Sequence, residues 1–166
     1  MAPDYSSHRK FNTMKYWLGV VSKNHVLRGV QGGFAQVCHG KKGPLSKMKK
    51  DDWLIYYSPV EAMGSKLPLQ AFTAIGIIED DVVFQFKMAE DFCPFRRKVN
   101  YKKSKDVLLK TIKSELDFTQ GTNWGFQLRR GLFETSKHDF DIISLAMFVN
   151  LDIKTLEKAN RETCGT

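Results

Sequence analysis

The alternation of apolar and polar positions along the chain predicts a series of short strands. Tyr16 to Val21 (YWLGVV) is an apolar run of strand length. From Val82 to Met88, the side chains alternate with a period of two, which is typical of a half-buried strand. The predicted strands are residues 16–21, 53–57, 71–78, 82–88 and 96–101, with strand or extended chain again at 124–133.

Helical patterns fall mainly in the last third of the chain. Val107 to Leu116 places its apolar residues on one side, and Ser136 with Asp139 resembles a capping box that begins a second helix. The other predicted helical pieces are a short helix at 25–28 capped by Asn24, a turn beginning at Pro44, and a final piece from Ile153 to Glu162. The predicted connections are a loose tail at 1–13, a loop at 31–43, a hairpin connection at 58–70, a turn at 79–81 and a polar loop at 117–123.

This order of elements predicts an α+β domain. Most strands follow one another through hairpins and not through regular helical crossovers, which argues against a doubly wound parallel sheet. A small curved mixed sheet or barrel with helices packed around it fits better. The length of 166 residues suits one core. We therefore expect a single domain over residues 14–166, preceded by a flexible tail at 1–13.

The positive charge is concentrated in the first third of the chain. The net charge is +8, and residues 1–50 contain ten Lys or Arg and one acid, a net of +9, so the other 116 residues sum to −1. Such asymmetry favours a polyanionic partner or surface. The alternative is a solvated basic face that only keeps the protein soluble.

Cysteine usage and hydropathy narrow the class further. Three cysteines with no close pair do not form a disulfide framework, and no Cys-x-x-Cys or His-x-x-x-His predicts zinc. We expect no metal and no cofactor. No apolar run has membrane-spanning length, and the N-terminus lacks a signal-peptide core. We therefore expect an intracellular monomer, cytoplasmic in a prokaryote or nuclear in a eukaryote, without a membrane partner.

The segment from Gly32 to Pro59 (GGFAQVCHGKKGPLSKMKKDDWLIYYSP) combines glycines, lysines and an aromatic strand. Glycines let backbone approach a ligand closely, and lysines attract phosphate. Aromatic rings offer flat faces on which a base can stack. The combination suits a nucleic-acid reader better than a catalyst.

Several blocks of the sequence resemble the EVE domain. They are YWLGVVS, HVLRGVQGGFAQVCHGKK, DDWLIYYSP, PLQAFTAIG, PFRRKV and WGFQLRRGLFE, and together they span roughly residues 15–150. The EVE family belongs to the PUA-like group with the YTH, ASCH and SRA-type readers. The resemblance implies a small pseudo-barrel of about five or six strands with flanking helices. It also implies a pocket for an extruded, modified base of DNA or RNA, used for binding and not for catalysis.

Carried onto this chain, the resemblance implies a set of site residues. We expect Tyr57 and Trp124 as stacking walls, and Ser22, Asn24 and the backbone of Val37 and Cys38 as readers of the base edge. The complete predicted base pocket is Ser22, Asn24, Gln36, Val37, Cys38, His39, Tyr57, Ser58, Phe95 and Trp124. The predicted phosphate contacts are Lys41, Lys42, Arg96, Arg129 and Arg130. Related YTH domains have a cage tryptophan where this chain has Val37, which argues against N6-methyladenine as the ligand.

The pattern leaves alternatives open for several of these residues. Tyr56 and Tyr57 alternate in direction, so one of them faces outward or into a pocket, and we take it to be Tyr57. Trp124 suits a pocket and a core equally. Arg129 and Arg130 could instead pair with acids such as Glu134.

Two further function classes remain as hypotheses. Cys38 next to His39 invites a thiol nucleophile, but neighbours on extended chain point to opposite faces, so we expect no catalytic residue. One alternative is a small RNA-modifying or nucleotide-processing enzyme that uses the same pocket. The other is a basic module that binds an acidic protein partner.

Overall fold

The structure, a computed structural model, describes residues 13–148. The predicted tail at 1–13, except Thr13, and the predicted helical piece from Ile153 to Glu162 lie outside the described residues. The C-terminal end of the predicted domain, residues 149–166, lies outside them as well, so the boundary of 14–166 stays a prediction.

Within residues 13–148, seven strands form one mixed sheet. They are β1 (Tyr16–Val20), β2 (Phe34–Ala35), β3 (Trp53–Val60), β4 (Pro68–Gln85), β5 (Phe95–Tyr101), β6 (Val107–Leu108) and β7 (Leu132–Thr135). Their order is β2-β5-β4-β3-β1-β7, and β6 pairs with β4 beside this path. The predicted α+β class and mixed sheet are confirmed; β2 and β6, of two residues each, raise the strand count above the predicted five or six.

In the described part of the chain, four α-helices flank the sheet. They are α1 (Lys23–Gly32), α2 (Lys42–Ser46), α3 (Leu109–Ile112) and α4, described over residues 137–148. Three short 3-10 segments lie between them, at Cys38–Gly40, Lys113–Glu115 and Trp124–Arg130. As predicted, Ser136 caps α4: the backbone N–H of Asp139 donates to Ser136 Oγ over 3.1 Å.

The parallel pairing of β1 with β3 determines where the site forms. Val20 lies opposite Tyr57, so both strands end at the same edge of the sheet. On its other side β1 pairs antiparallel with β7, where Gly19 lies opposite Leu132. The segments that follow β1 and β3 and the segment that precedes β7 therefore meet at one edge.

Alternate residues of the strands enter two different hydrophobic clusters. Leu18, Ile55 and Tyr57 belong to a first cluster covered by α3 and α4, together with residues such as Phe133 and Phe140. Trp17, Leu54 and Tyr56 belong to a second cluster with Val26 of α1 and Leu45 of α2. Because side chains alternate across a strand, the two clusters lie on opposite faces of the sheet, and both faces are buried.

Buried polar groups support the second cluster. Asp52 is 3% exposed, and its carboxylate accepts hydrogen bonds from Trp17 Nε1 at 2.9 Å and from the backbone of Lys15 and Lys49. Arg97 is 2% exposed and donates to the carbonyl oxygens of Leu45, Met48 and Asp80. These side chains connect α2 and the chain before β3 to the sheet.

The predicted turn at residues 79–81 is wrong. These residues belong to one continuous strand, β4, whose pairing with β5 shifts register between Ile78 and Val83. The acidic side chains stabilise this bulge: Asp80 Oδ1 accepts from Val82 N at 3.0 Å, and Asp81 Oδ1 accepts from Lys50 N at 2.8 Å. The predicted strands at 71–78 and 82–88 are thus largely one strand.

Two later predictions are also corrected. The chain at 107–116 begins as strand β6, because Val107 and Leu108 pair with Phe72 and Ala71, and only then turns into α3. Residues Trp124–Arg130 form a 3-10 segment and not extended chain, while the strand follows as β7.

Candidate functional site

A cavity of about 640 Å³ lies at the edge where β1 and β3 end. It is lined by five parts of the chain: the ends of these strands, the start of α1, the segment from β2 into α2, the connection that follows β3, and the segment before β7. Its lining residues are Val20, Val21, Ser22, His25, Gln36, Val37, Cys38, His39, Lys41, Pro44, Pro59, Val60, Met63, Gly64, Leu128, Arg129, Arg130 and Gly131.

Backbone hydrogen bonds hold the strand ends together at this edge. Val21 N donates to Tyr57 O at 3.1 Å, which continues the parallel pairing beyond β1. Asn24 N donates to Glu61 O at 2.9 Å and connects the start of α1 to the segment after β3. Ser22 precedes α1 as its N-cap residue without a side-chain capping bond, so its hydroxyl remains available to the cavity that it lines.

The segment Cys38–Gly40 has an unusual backbone conformation. Cys38 and His39 adopt positive φ angles of 49° and 58°, and Gly40 follows at 78°. Non-glycine residues adopt this region rarely, and a Cβ at Gly40 would also collide with Pro94. Such conformations cost free energy and cluster at functional sites. Here the turn places Cys38 and His39 side by side on the cavity wall, although an extended chain would separate them.

The opposite wall lies against this turn. Val20 N donates to Gly131 O at 2.8 Å, and the Cys38 thiol donates to Arg130 O at 3.4 Å. Gly131 has a φ of 75°, and a Cβ there would lie 2.6 Å from Cys38 Sγ. Only glycine therefore lets the segment Leu128–Gly131 approach Cys38 this closely.

Two side chains of the cavity, Cys38 and His25, favour their neutral forms. Burial raises the pKa of the Cys38 thiol, against the smaller opposite effect of Lys41. Burial, together with the charge of Arg28, lowers the pKa of His25. A neutral imidazole can donate or accept one hydrogen bond, whereas a protonated thiol is a poor nucleophile.

Positive charge surrounds the cavity mouth. Lys41, Arg129 and Arg130 line it and are exposed, and the Arg129 guanidinium lies 4.9 Å from the centre of the Phe126 ring. Of the cavity-lining residues in the described part of the chain, none is Asp or Glu. Glu134, the suggested partner of the arginines, instead pairs with Lys15 at 3.3 Å. An anion would therefore meet attraction here without a competing carboxylate.

The structure brings eight of the fifteen predicted site residues to this cavity. They are Ser22, Gln36, Val37, Cys38, His39, Lys41, Arg129 and Arg130. They come from three separate stretches of the sequence, so their convergence is a property of the fold.

Three predicted pocket residues lie in the core instead. Tyr57 is 2% exposed and packs edge-on against Phe72 at 5.6 Å, so it is not available as a stacking wall. Ser58 is fully buried and shares a 2.8 Å hydrogen bond with Thr73. Trp124 packs against the first cluster through Phe118 at 6.3 Å and does not line the cavity.

The remaining predicted residues lie nearby but outside the cavity lining. Asn24 is exposed on α1, and Phe95 is half-buried with Lys42 Nζ 5.8 Å above its ring. Lys42 lines a separate depression that also contains Arg97 and Asp81. Arg96 is 7% exposed and donates from Nε to Gln36 Oε1 at 3.1 Å, so it contacts a lining residue instead of presenting itself to phosphate.

Sequence reasoning missed ten residues that line the cavity. Half of them are next to predicted ones; for example, His25 follows Asn24, Pro59 follows Ser58, and Leu128 precedes Arg129. Met63 and Gly64 lie in the long connection between β3 and β4, where the sequence has no signal that separates a cavity wall from an ordinary loop.

One group of possible metal ligands exists elsewhere in residues 13–148: Asp117, His138 and Asp139. Its geometry has a structural explanation. Asp139 is 1% exposed and accepts from the backbone N–H groups of Asp117 and Phe118 at 2.6 and 3.0 Å. Its carboxylate thus connects α4 to the loop before Trp124.

The helices in the described part of the chain are all too short or too polar to cross a membrane.

Comparison with solved structures supports the fold. A Rhodopseudomonas palustris protein determined by NMR aligns with 82% of this chain and 94% of its own, at 16% identity and a TM-score of 0.53. A hypothetical protein from Leishmania major covers 79% of this chain and 92% of its own, at 14% identity and a TM-score of 0.51. At such identities the likeness concerns the fold alone.

Sequence relatives are much nearer. The UPF0310 protein YdcG of Bacillus subtilis is 50% identical over 82% of this chain and 94% of its own. A UPF0310 protein of Streptococcus mutans is 53% identical over 81% of this chain and 97% of its own. The model of the EVE domain matches residues 15–146. This match spans nearly all of the described sheet and its cavity, and the chain belongs to the EVE domain family.

Proposed function

We propose that this protein is a binding module that takes one extruded, chemically modified base of DNA or RNA into the cavity. The observation that carries the proposal is the cavity itself. It combines apolar walls, a few hydrogen-bonding groups and a cationic mouth without a carboxylate among its described lining residues. Membership of the EVE family, whose PUA-like relatives read bases, supports the same function.

The cavity has the chemistry that an extruded base needs. Extraction from a duplex costs a few kcal/mol, which contacts in the pocket must offset. Val21, Val37 and Val60 offer apolar contact, while Ser22, His25 and Gln36 offer hydrogen bonds. A volume of about 640 Å³ accommodates a base with an added substituent.

Stacking would involve other groups than those expected from the sequence. Tyr57 lies in the first cluster and Trp124 packs against it, so neither ring faces the cavity. In contrast, His39 is exposed at the cavity wall and Arg129 lies at its mouth. Imidazole rings and guanidinium planes both stack on bases. Lys41, Arg129 and Arg130 would contact the phosphates on either side of the extruded nucleotide.

We propose binding rather than catalysis. The half-buried Cys38 thiol has a raised pKa and already donates to Arg130 O, so the thiolate that attack requires is disfavoured. The cavity lining also lacks the carboxylate that general acid–base chemistry commonly uses, as far as residues 13–148 extend.

Competition by free nucleosides tests the proposal directly. The protein is bound to a fluorescent single-stranded oligonucleotide, and modified and unmodified nucleosides are added, beginning with cytosine-5 derivatives. We expect at least one modified nucleoside to displace the oligonucleotide, because a pocket reader recognises the base itself. Displacement by salt alone would instead indicate a basic module, and a product seen by chromatography after long incubation would indicate an enzyme.

Filling the cavity provides a second test. Ser22→Trp places a large ring in the space that the base would occupy, and we expect it to abolish nucleoside competition. Ser114→Trp is the matched control, because Ser114 is exposed and outside the cavity. Unchanged nucleoside binding in a folded Ser22→Trp protein would show that the base binds elsewhere.

A further inference from the structure

The side chain of Gln36 has an orientation fixed by chemistry. Arg96 Nε donates to Gln36 Oε1 at 3.1 Å. A guanidinium has only donors, so the amide atom facing it must be the oxygen. The NH₂ group of Gln36 is therefore directed away from Arg96 with two N–H donors.

These donors are open to the cavity. Gln36 is 5% exposed and lines the cavity, and its Nε2 has no hydrogen-bond partner within residues 13–148. In that range, the only side-chain atoms that lack a partner and are also fully buried are Arg97 Nε and Thr135 Oγ1. Gln36 Nε2 lacks a partner but is not one of these two atoms, so it has some accessible surface. The accessible part of this almost buried side chain therefore faces the space that it lines.

Arg96 is itself held in place. Its guanidinium carbon lies 3.8 Å from the centre of the Phe34 ring and 4.2 Å from that of Phe86, so the group is sandwiched between two aromatic side chains. The sandwich leaves Arg96 only 7% exposed. A guanidinium clamped on both faces cannot follow the amide if the amide rotates, so it fixes which end of Gln36 enters the cavity.

The backbone of Gln36 is fixed as well. Tyr56 donates its hydroxyl to Gln36 O at 3.4 Å, and Tyr101 donates to Phe34 O at 2.8 Å. Gly19 leaves the space for the Tyr56 ring, because a Cβ there would lie 2.8 Å from it. Both ends of Gln36 are thus preorganised before a ligand enters, which reduces the entropy cost of binding.

We infer that Gln36 is the specificity-determining residue of the cavity, and that it donates to an acceptor on the Watson–Crick edge of the bound base. This inference rests on the proposed function. An extruded base is read mainly at that edge, where cytosine N3, adenine N1 or a carbonyl oxygen accepts an N–H. Bases substituted at this acceptor are rejected, whereas bases modified at a carbon away from it, such as C5 of a pyrimidine, are accepted. Arg96 acts as a positioning residue through Gln36.

The experiment measures affinity for DNA and RNA duplexes that carry one unpaired base, either unmodified or one of the modified bases of the nucleoside series, and for the same duplexes with an abasic site. The ratio of base to abasic affinity isolates recognition of the base from attraction to phosphate. We expect Gln36→Glu, which presents an acceptor and pairs with Arg96, to lower this ratio about tenfold or more for the duplex that the unaltered protein binds most tightly. Gln31→Glu on the exposed side of α1 makes the same change of charge and should leave the ratio unchanged.

Two further variants keep the test decisive if Gln36→Glu fails to fold. Gln36→Met preserves length and removes the donors, so it should lower the same ratio. Arg96→Met preserves bulk between the two phenylalanines but frees the amide, so the difference between the best and worst bases should shrink. For cytosine or adenine, replacing N3 or N1 by C–H should weaken binding to the unaltered protein but not to Gln36→Met.

The outcomes separate this inference from the proposed function. If the unaltered protein binds every unpaired base, modified or unmodified, no better than the abasic duplex, the proposed function fails. If it prefers a base, but Gln36→Glu, Gln36→Met and Arg96→Met keep the same preference, the assignment of Gln36 is overturned while the cavity remains the binding site.

Discussion

The two faces of the sheet are both buried, but they are packed differently, and the cavity at the strand ends meets the first face through Val20 and Leu128 and the second through Val21, Val37 and Cys38. The first face is packed by aromatic and aliphatic side chains, among them Tyr57, Phe133 and Phe140, and α4 covers it. The second face depends on buried polar groups, including Asp52 and Arg97, and it borders the cavity through Val37. In this fold the aromatic residues of the first face stabilise the core, and the candidate site lies at the ends of the strands, next to both clusters.

Tyr57→Ala should produce the largest effect, and it should affect stability alone. Truncating this buried ring on the first face should lower the free energy of unfolding by about 3–5 kcal/mol, as measured by urea denaturation. The affinity of the folded fraction for oligonucleotide should not change, because Tyr57 does not line the cavity.

Tyr57→Leu and Tyr57→Phe serve as milder controls that preserve the fold. Lower affinity for a base in folded Tyr57→Phe would contradict the placement of Tyr57 in the core, outside the cavity lining.

Asp52→Ala should be the next largest change. It leaves Trp17 Nε1 and two backbone N–H groups without their buried acceptor, which should cost about 2–4 kcal/mol of unfolding free energy. Glu79→Ala is the control: it also removes one carboxylate, but an exposed one, and should have little effect on stability. Equal stabilities of the two variants would show that the second face does not depend on its polar groups.

Arg129→Ala with Arg130→Ala should leave stability unchanged and weaken binding. Both side chains are exposed at the cavity mouth, so affinity should fall equally for modified and plain strands. The slope of log K against log salt should fall by about 0.7–0.9 for each phosphate that the variant no longer neutralises. Lys102→Ala with Lys103→Ala removes the same charge elsewhere on the surface, and an equal fall in affinity there would remove the arginines from the phosphate path.

The smallest expected effect is on the pH dependence of the free energy of unfolding, through His138 near the start of α4. Hydrogen bonding to Asp139 raises the pKa of His138, with a further contribution from Asp117. The stabilisation is therefore fully present below pH 6.5, the unperturbed value, and is lost as the pH rises through the raised value in the folded protein. His138→Gln should flatten this small slope of stability between pH 6 and 8, and an unchanged slope would contradict the assignment.

The sequence predicts strands correctly where an apolar run fits a strand and no other element. β1, β3 and β5 agree with their predicted positions to within a few residues, and β3 extends three residues beyond Tyr57. The turn at 79–81 was wrong because an acidic run is usually solvated, whereas here Asp80 and Asp81 stabilise a bulge. Val107 and Leu108 fit a helical pattern, but pairing with β4 outweighs that local preference.

The site was predictable where the family resemblance fixed a segment, and not where alternation had to decide a direction. Gln36 to His39 line the cavity as expected. The choice between Tyr56 and Tyr57 assumed that one face of the strand is open, but both tyrosines are 2% exposed because both faces are covered. The approach of Arg130 and Gly131 to Cys38 depends on how distant segments fold together, which local sequence does not reveal.

The position of β1 between β3 and β7 determines when the cavity can form during synthesis on the ribosome. The cavity needs Gly131 against Val20 and Cys38, residues separated by more than half of the chain. A nascent chain that has completed β5 already contains Gln36 and His39 but has no opposite wall. The complete cavity therefore forms only when β7 pairs with β1, after the ribosome has synthesised β7.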